Sequence, residues 1–233
     1  MANFSYAASF LANQNPPIPL DLAEVGPAID LPEGSGNLGG VFGIALWIAD
    51  MLLHGMSIGI RRINYQQILG ARWSLWQPSS FDSEEGHVKP GYYGALFAAE
   101  FRGREEGVRV SEVEVDGMGG KLSAYEAWSA KGDLLRVAIV NMAEWNGGNE
   151  TRRNVTVQFG APQGWEKVEV RRLESSTGVE DSGEDISYAG VTYTFANKGQ
   201  GERSGNGTET MIVNGSVTVK VNASEAVMIS KAI

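Results

Sequence analysis

The sequence predicts an α/β front followed by an all-β remainder. The expected architecture is the C-terminal part of a (β/α)8 barrel, incomplete, over residues 1–104, then an antiparallel β-sandwich over residues 105–233. Three observations lead there. An apolar extended run, Ile18 to Ala23, is followed by a glycine-rich loop, a long apolar helix and a second extended segment, which together make a β-loop-α-β unit. Past residue 104 the pattern changes to short alternating runs separated by turn residues, as in a sandwich. One β-α-β unit with one further helix cannot close a parallel barrel and would leave open strand edges, so the chain is expected to begin inside a barrel, at the helix before its seventh strand.

The elements follow in order. Met1 to Asn15 carries Phe4, Ala7, Ala8, Phe10 and Leu11 and reads as a helix. The Ile18–Ala23 strand ends at Glu24, with Val25, Gly26 and Pro27 behind it. Strand C-termini form the rim where α/β proteins hold substrate, so a carboxylate at this boundary is placed for chemistry. After Gly34, Gly36, Gly39 and Gly40 comes a helix over Val41–Ser57, with Phe42, Ala45, Leu46, Ala49, Leu52, Leu53 and Met56 at three-to-four spacing. Ile44, Trp47, Ile48 and Met51 make its other side apolar too, so the helix expects cover on more than one side. At 17 residues and with Asp50 and His54 inside it, it reads as a buried helix, not a membrane span. Gly59 to Gln67 is the second strand, and Pro90 to about Arg102, closed by Gly103, is a further helix. Strands are expected at Val108–Val115, Leu134–Met142, Asn154–Phe159, Val168–Leu173, Val191–Phe195, Met211–Val213, Ser216–Val221 and Ala226–Ser230. The acidic stretch from Ser175 to Asp185 lacks the spacing of a calcium loop and reads as a solvated loop.

Composition removes several function classes. The 233 residues are 42% hydrophobic, enough for one large or two modest cores. A formal net charge of −9 with no basic run argues against a nucleic-acid partner. With no cysteine, and only His54 and His87 as histidines, thiol nucleophiles, disulfides and Cys/His zinc sites drop out. No metal and no cofactor is expected. His54 reads as a packed or edge histidine.

Several ordered segments resemble glycoside hydrolase family 79, which contains β-glucuronidases and heparanases. They are Ile18-Pro19-Leu20-Asp21-Leu22-Ala23-Glu24-Val25-Gly26, Phe42 to Asp50, Met56 to Ile60, Asn64-Tyr65-Gln66-Gln67, Ser74 to Pro78 and Pro90 to Gly94. The β-rich remainder is similar to the family's C-terminal sandwich. The resemblance implies a retaining mechanism with two carboxyl groups about 5–5.5 Å apart, and Glu24 matches the nucleophile. The family's acid/base glutamate lies on an earlier barrel strand, usually after asparagine, and has no equivalent here. Glu33, Glu84 and Glu85 sit in loops, and Asn149-Glu150 belongs to a turn of the sandwich. The implied substrate is a glucuronide-containing saccharide, and the chain alone is expected to hydrolyse nothing. Its carboxylate would meet the backbone amides of Gly39 and Gly40 and the side chain of Tyr65, with Gln66 and Trp73 nearby. Trp73 and Trp76 serve either as stacking faces for sugar or as packing against the sandwich.

A second reading makes the sandwich a carbohydrate-binding or protein-contact module, with the front segment only a packing platform. Sequons begin at Asn3, Asn149, Asn154, Asn206, Asn214 and Asn222, against roughly 1.5 expected by chance from 13 Asn and 27 Ser plus Thr. The excess points to N-linked glycans at Asn149, Asn154, Asn206, Asn214 and Asn222 and to a secreted parent protein, although the start, Met1-Ala2-Asn3-Phe4, shows no basic region followed by a long apolar run as in a signal peptide. A surface of β-turns rich in Asn, Ser and Thr is the other source of such triplets. No membrane contact is expected.

Overall fold

Helices and two parallel strands make up most of the chain before residue 104, and antiparallel strands follow. The computed structural model describes residues 2–27, 38–78, 86–115, 118–193, 199–203 and 207–232. The front contains α1 (Ala2–Ala12), β1 (Leu20–Val25), α2 (Phe42–Ser57), β2 (Ile60–Tyr65), β3 (Trp76–Gln77), β4 (His87–Val88) and α3 (Pro90–Arg102). The remainder contains β5 (Arg109–Val113), β6 (Leu122–Trp128), β7 (Leu134–Asn141), β8 (Asn154–Gly160), β9 (Lys167–Ser175), β10 (Ile186–Tyr188), β11 (Val191–Tyr193), β12 (Gly201–Arg203), β13 (Thr208–Ile212), β14 (Ser216–Asn222) and β15 (Glu225–Lys231).

β1 and β2 pair in parallel, with Leu20 opposite Ile60 and Val25 opposite Tyr65. The register shifts between Leu22 and Val25, where Ala23 and Glu24 are both exposed. Most other strands join one nine-stranded sheet in the order β12-β11-β10-β9-β15-β7-β6-β5, with β13 alongside β9. β8 and β14 form a separate antiparallel ladder running from Asn154↔Asn222 to Gly160↔Ser216.

The large sheet is covered on both faces, and strand alternation decides which side chain goes where. Ala138 and Val140 of β7 and Met228 of β15 face α2 and α3 in a core with Phe42, Leu46, Phe97 and Phe101. Val137, Ile139, Val227 and Ile229 face the β8–β14 ladder and meet Val217, Val219 and Val221. The first core therefore mixes residues from both sides of position 104. The β-rich part is two-layered on one side and helix-covered on the other.

Helix α2 packs closely on α3 because Gly94 has no side chain: a Cβ there would stand 2.1 Å from the Ala45 carbonyl oxygen. The two polar residues within α2 find partners in the sandwich. Tyr125 donates its hydroxyl to Asp50 Oδ1 at 2.7 Å, and His54 Nδ1 lies 2.7 Å from Glu112 Oε2. Burial, with Asp50 beside it, pushes the Tyr125 phenol up, so it remains a donor.

The acidic stretch after β9 departs from the expected solvated loop. Glu180, Glu184 and Asp185 are exposed, but Asp181 is buried and accepts from Ser175 Oγ at 2.7 Å and from the Gly183 amide at 2.8 Å. Its backbone carbonyl takes the Phe42 N–H at 2.7 Å, and the Val179 carbonyl takes the Gly43 N–H at 2.9 Å. These are amides that the first turn of a helix leaves without internal acceptors, and Val41 offers no capping side chain. The loop docks because it satisfies them.

The strand over Leu122–Trp128 was not expected. Its residues, Leu-Ser-Ala-Tyr-Glu-Ala-Trp, contain no β-branched side chain. Its place between β5 and β7 imposes the extended form, an instance of tertiary context overriding local preference.

Candidate active site

The ends of β1 and β2 lie side by side, and the segment following β2 folds back over them. Glu24 is exposed, and its Oε1 accepts from Gln66 Nε2 at 2.8 Å. Gln66 Oε1 in turn accepts from Trp73 Nε1 at 3.1 Å. The amide is thereby fixed in one orientation, because each end has a distinct partner. The backbone supports the same geometry: the Gln66 N–H bonds to the Val25 carbonyl at 2.8 Å. Gly26 leaves room for the amide, since a Cβ there would lie 3.2 Å from Gln66 Oε1.

Tyr65 is half-buried and donates its hydroxyl to the Trp73 carbonyl at 3.0 Å. Burial pushes its phenol well up, so it acts as a donor and not as an anion. The loop from 66 to 77 is held by further side-chain-to-backbone bonds. Gln67 donates to the Trp76 carbonyl at 2.7 Å and accepts from the Leu75 amide at 2.8 Å. Ser74 bridges the Ile68 amide and carbonyl, and Lys89 reaches the Ala71 carbonyl at 3.0 Å. Such bonds make an irregular loop rigid enough to hold a tryptophan in place.

Glu24, Tyr65, Gln66 and Trp73 thus converge. Gly39 joins them from a short helical turn, Leu38–Gly40, where a Cβ on it would lie 3.6 Å from the Trp73 ring. Gly40 is buried in the same turn. Trp76 is 43% exposed and meets Tyr92 edge to face, with ring centroids 6.5 Å apart. Glu33, Glu84, Glu85 and Asn206 lie outside the described residues. Glu150 is exposed in a loop of the sandwich, where its carbonyl accepts from Trp145.

Beneath Glu24 runs a cavity of about 390 Å³ between α1, α2 and the two strands, with Phe4, Trp47, Met51 and His54 among its walls. His54 Nε2 is buried and has no hydrogen-bond partner among the described residues. The sequence reading of His54 as a packed residue did not anticipate its place in this wall. The signal was its i, i+7 relation to Trp47, which puts the two on one helix face.

Comparison with known proteins adds the remaining observation. Residues 124–228 match the glycosyl hydrolase family 79 C-terminal beta domain. The chain carries that domain. Among solved structures, a 4-O-α-L-rhamnosyl-β-D-glucuronidase from Fusarium oxysporum 12S, in complex with Rha-GlcA, is similar with a TM-score of 0.75 at 21% identity, over 96% of this chain and 46% of that one. The GH51 α-L-arabinofuranosidase from Thermotoga petrophila RKU-1 gives a TM-score of 0.62 at 12% identity, over 98% of this chain and 46% of that one. The α-L-arabinofuranosidase from Thermotoga maritima, in its arabinose complex, gives 0.58 at 13%, again over 98% and 46%. At these identities the likeness is one of fold, and the chain spans less than half the length of each structure. No curated protein sequence matches the chain.

Proposed function

We propose that this chain is the C-terminal part of a retaining glycoside hydrolase of β-glucuronidase type. In this reading residues 1–104 complete a (β/α)8 barrel, residues 105–233 are its β-sandwich, and Glu24 is the nucleophile. The observation that carries it is the Glu24–Gln66–Trp73 chain of hydrogen bonds at the neighbouring tips of two parallel strands. The exposed sides of that front segment support it as well. Parallel strands are normally covered on both faces, whereas Phe4, Tyr6, Phe10 and Ile18 stand 42–75% exposed here. Further barrel strands would give β1 its second neighbour and cover these side chains.

The chemistry assigned to Glu24 is attack by a carboxylate oxygen on the anomeric carbon. The bond to the leaving oxygen breaks as a general acid from the rest of the protein protonates it, and water then hydrolyses the glycosyl ester with net retention. Gln66 holds one carboxylate oxygen and so leaves the other for attack. Gly39 and Gly40 are proposed to face the sugar carboxylate with backbone amides, which bind an anion without adding bulk. Tyr65, whose O–H is committed to the Trp73 carbonyl, acts first by holding that loop, and touching the sugar requires exchange of this bond. The substrate is a glucuronide-containing saccharide, the longer protein is secreted, and N-glycans sit on the exposed Asn149, Asn154 and Asn214 and on Asn206. Asn222 is the weaker acceptor: the Ser224 of its triplet is fully buried, its hydroxyl bonded to Ala143 and Trp145.

An aryl β-glucuronide assay tests the reading. This chain alone gives no turnover, because the general acid and most of the substrate-orienting wall come from elsewhere. A protein that includes the preceding barrel strands turns over, and Glu24→Gln lowers its kcat by on the order of 10⁴-fold or more, the scale of losing a covalent nucleophile. Turnover by the isolated chain, or a Glu24→Gln enzyme of ordinary activity, defeats the assignment.

A further inference from the structure

We propose that the sandwich carries a saccharide-binding groove of its own, built around Trp145 and suited to a neutral oligosaccharide. The groove encloses about 820 Å³ where the loop between β7 and β8 meets Lys121, ahead of β6, and Ala223, between β14 and β15. None of its walls comes from β1, α2 or β2, so it is separate from Glu24.

Trp145 is held at its ring nitrogen, its backbone amide and one ring face. Its Nε1 donates to the Glu150 carbonyl at 3.1 Å, and its backbone amide donates to Ser224 Oγ at 3.0 Å. The Arg152 guanidinium lies over the ring, 4.5 Å from its centroid. That cation is itself tied to the Ala223 carbonyl at 2.9 Å and the Ser224 carbonyl at 2.8 Å. Trp145 is partly exposed and is among the residues that line the groove. A fixed aromatic plane loses little entropy when a ligand stacks on it, and its negative face attracts the C–H bonds of a sugar ring.

Polar groups surround this plane. Lys121, Glu150 and Arg153 are exposed, and among the described residues their side chains form no hydrogen bond or ion pair. With Glu144 they offer charged donors and carboxylate acceptors, the groups that take up neighbouring hydroxyls. Lys121 and Arg153 cancel Glu144 and Glu150 in charge, so the groove exerts no net pull on an anionic ligand, and the chain's overall −9 opposes one. An aromatic residue ringed by donors and acceptors of balanced charge describes a site for a neutral sugar better than one for a nucleotide or a uronate.

Isothermal titration of the full chain, made without N-glycans so that Asn154 carries no sugar, with xylohexaose, cellohexaose and hexagalacturonate tests this. At least one neutral hexasaccharide is expected to bind with a Kd of about 0.1–1 mM, and hexagalacturonate at least tenfold more weakly. Trp145→Ala should weaken the neutral ligand tenfold or more. The exposed double variant Lys121→Ala/Glu150→Ala should weaken it severalfold with an unchanged thermal midpoint, which keeps the test valid if Trp145→Ala does not fold. Glu24→Gln should leave binding intact. The proposal falls if neither neutral hexasaccharide binds, if the uronate binds as well as they do, or if binding survives both groove variants.

Discussion

The two faces of α2 differ in how completely they are closed. On the sandwich side Phe42, Ala45, Ala49 and Leu53 have no accessible surface, and Asp50 and His54 Nδ1 each meet a partner on β6 or β5. On the side of β1 and β2, Trp47, Met51 and His54 line an open cavity shared with Glu24, and His54 Nε2 goes without a partner among the described residues. One helix therefore serves as finished core on one side and as the wall of a working space on the other. The difference teaches that the strand pair owes its position to the sandwich, through α2, more than to its own packing.

Two glycines sharpen that contrast and give the largest expected effect. Gly94→Ala drives a Cβ to 2.1 Å from the Ala45 carbonyl, on the closed side. Backbone cannot yield there as a side chain can, and a loss of about 3 kcal/mol or more is expected in urea unfolding, beyond the usual overpacking range. Gly55→Ala, on the open side, crowds the tip of Ile63, 2.6 Å away, and makes ordinary contact with Ile60 at 3.7 Å. Ile63 can swing into the cavity, and the gain of up to about 1 kcal/mol in helix propensity makes this variant neutral or slightly more stable. Equal destabilisation by the two would remove the distinction between the faces.

Of comparable size is the effect at Glu225, fully buried in β15. Its carboxylate accepts from Arg172 at 3.0 Å and from the Asn222 amide at 2.5 Å. Glu225→Ala leaves Arg172 with the more exposed Glu209 at 3.2 Å and the Lys220 carbonyl at 3.1 Å, and a loss of about 3–5 kcal/mol is expected. Because the large sheet supports α2, the same variant should also increase amide exchange in β1 and β2. Protection there that is unaffected would contradict their dependence on the sheet.

The smallest effect concerns Glu105, at the junction after α3. Its ion pair and hydrogen bond with Arg136 hold its carboxyl below the usual range. Such a group adds stability above its unfolded pKa, near 4.5, and that contribution disappears as pH falls through the lower folded value. Glu105 is 46% exposed, so Glu105→Gln should cost no more than about 0.5 kcal/mol at pH 7. Thermal midpoints of the two proteins should converge in acid, and a gap that widens there would reverse the sign.

Much of this was legible in the sequence where one face of an element does one job. The three-to-four spacing of α2 and the Pro90 and Gly103 punctuation of α3 mark their helices to within a residue; Gly103 adopts a φ of +68°, which glycine tolerates best. Glu24, Tyr65, Gln66 and Trp73 could be grouped through the family resemblance. What spacing does not encode is the order of hydrogen bonds among them, since that depends on the fold-back of residues 66–77. Leu122–Trp128 and the docked Asp181 escaped for a related reason. Their local composition points to helix and to solvated loop, and contacts with distant segments decide otherwise. Asp50 and His54 look like blemishes in an apolar helix until Tyr125 and Glu112 are brought beside them.

The docking of Val179 and Asp181 onto the first amides of α2 carries a consequence for biosynthesis. The helix leaves the ribosome well before the carbonyls that complete its opening turn are polymerised, a delay of roughly ten seconds at ordinary synthesis rates. Until then its leading end frays, and the segment bearing Glu24 has no rigid backing. A nascent chain released early, anywhere short of Asp181, inherits the glutamate without the brace that aims it.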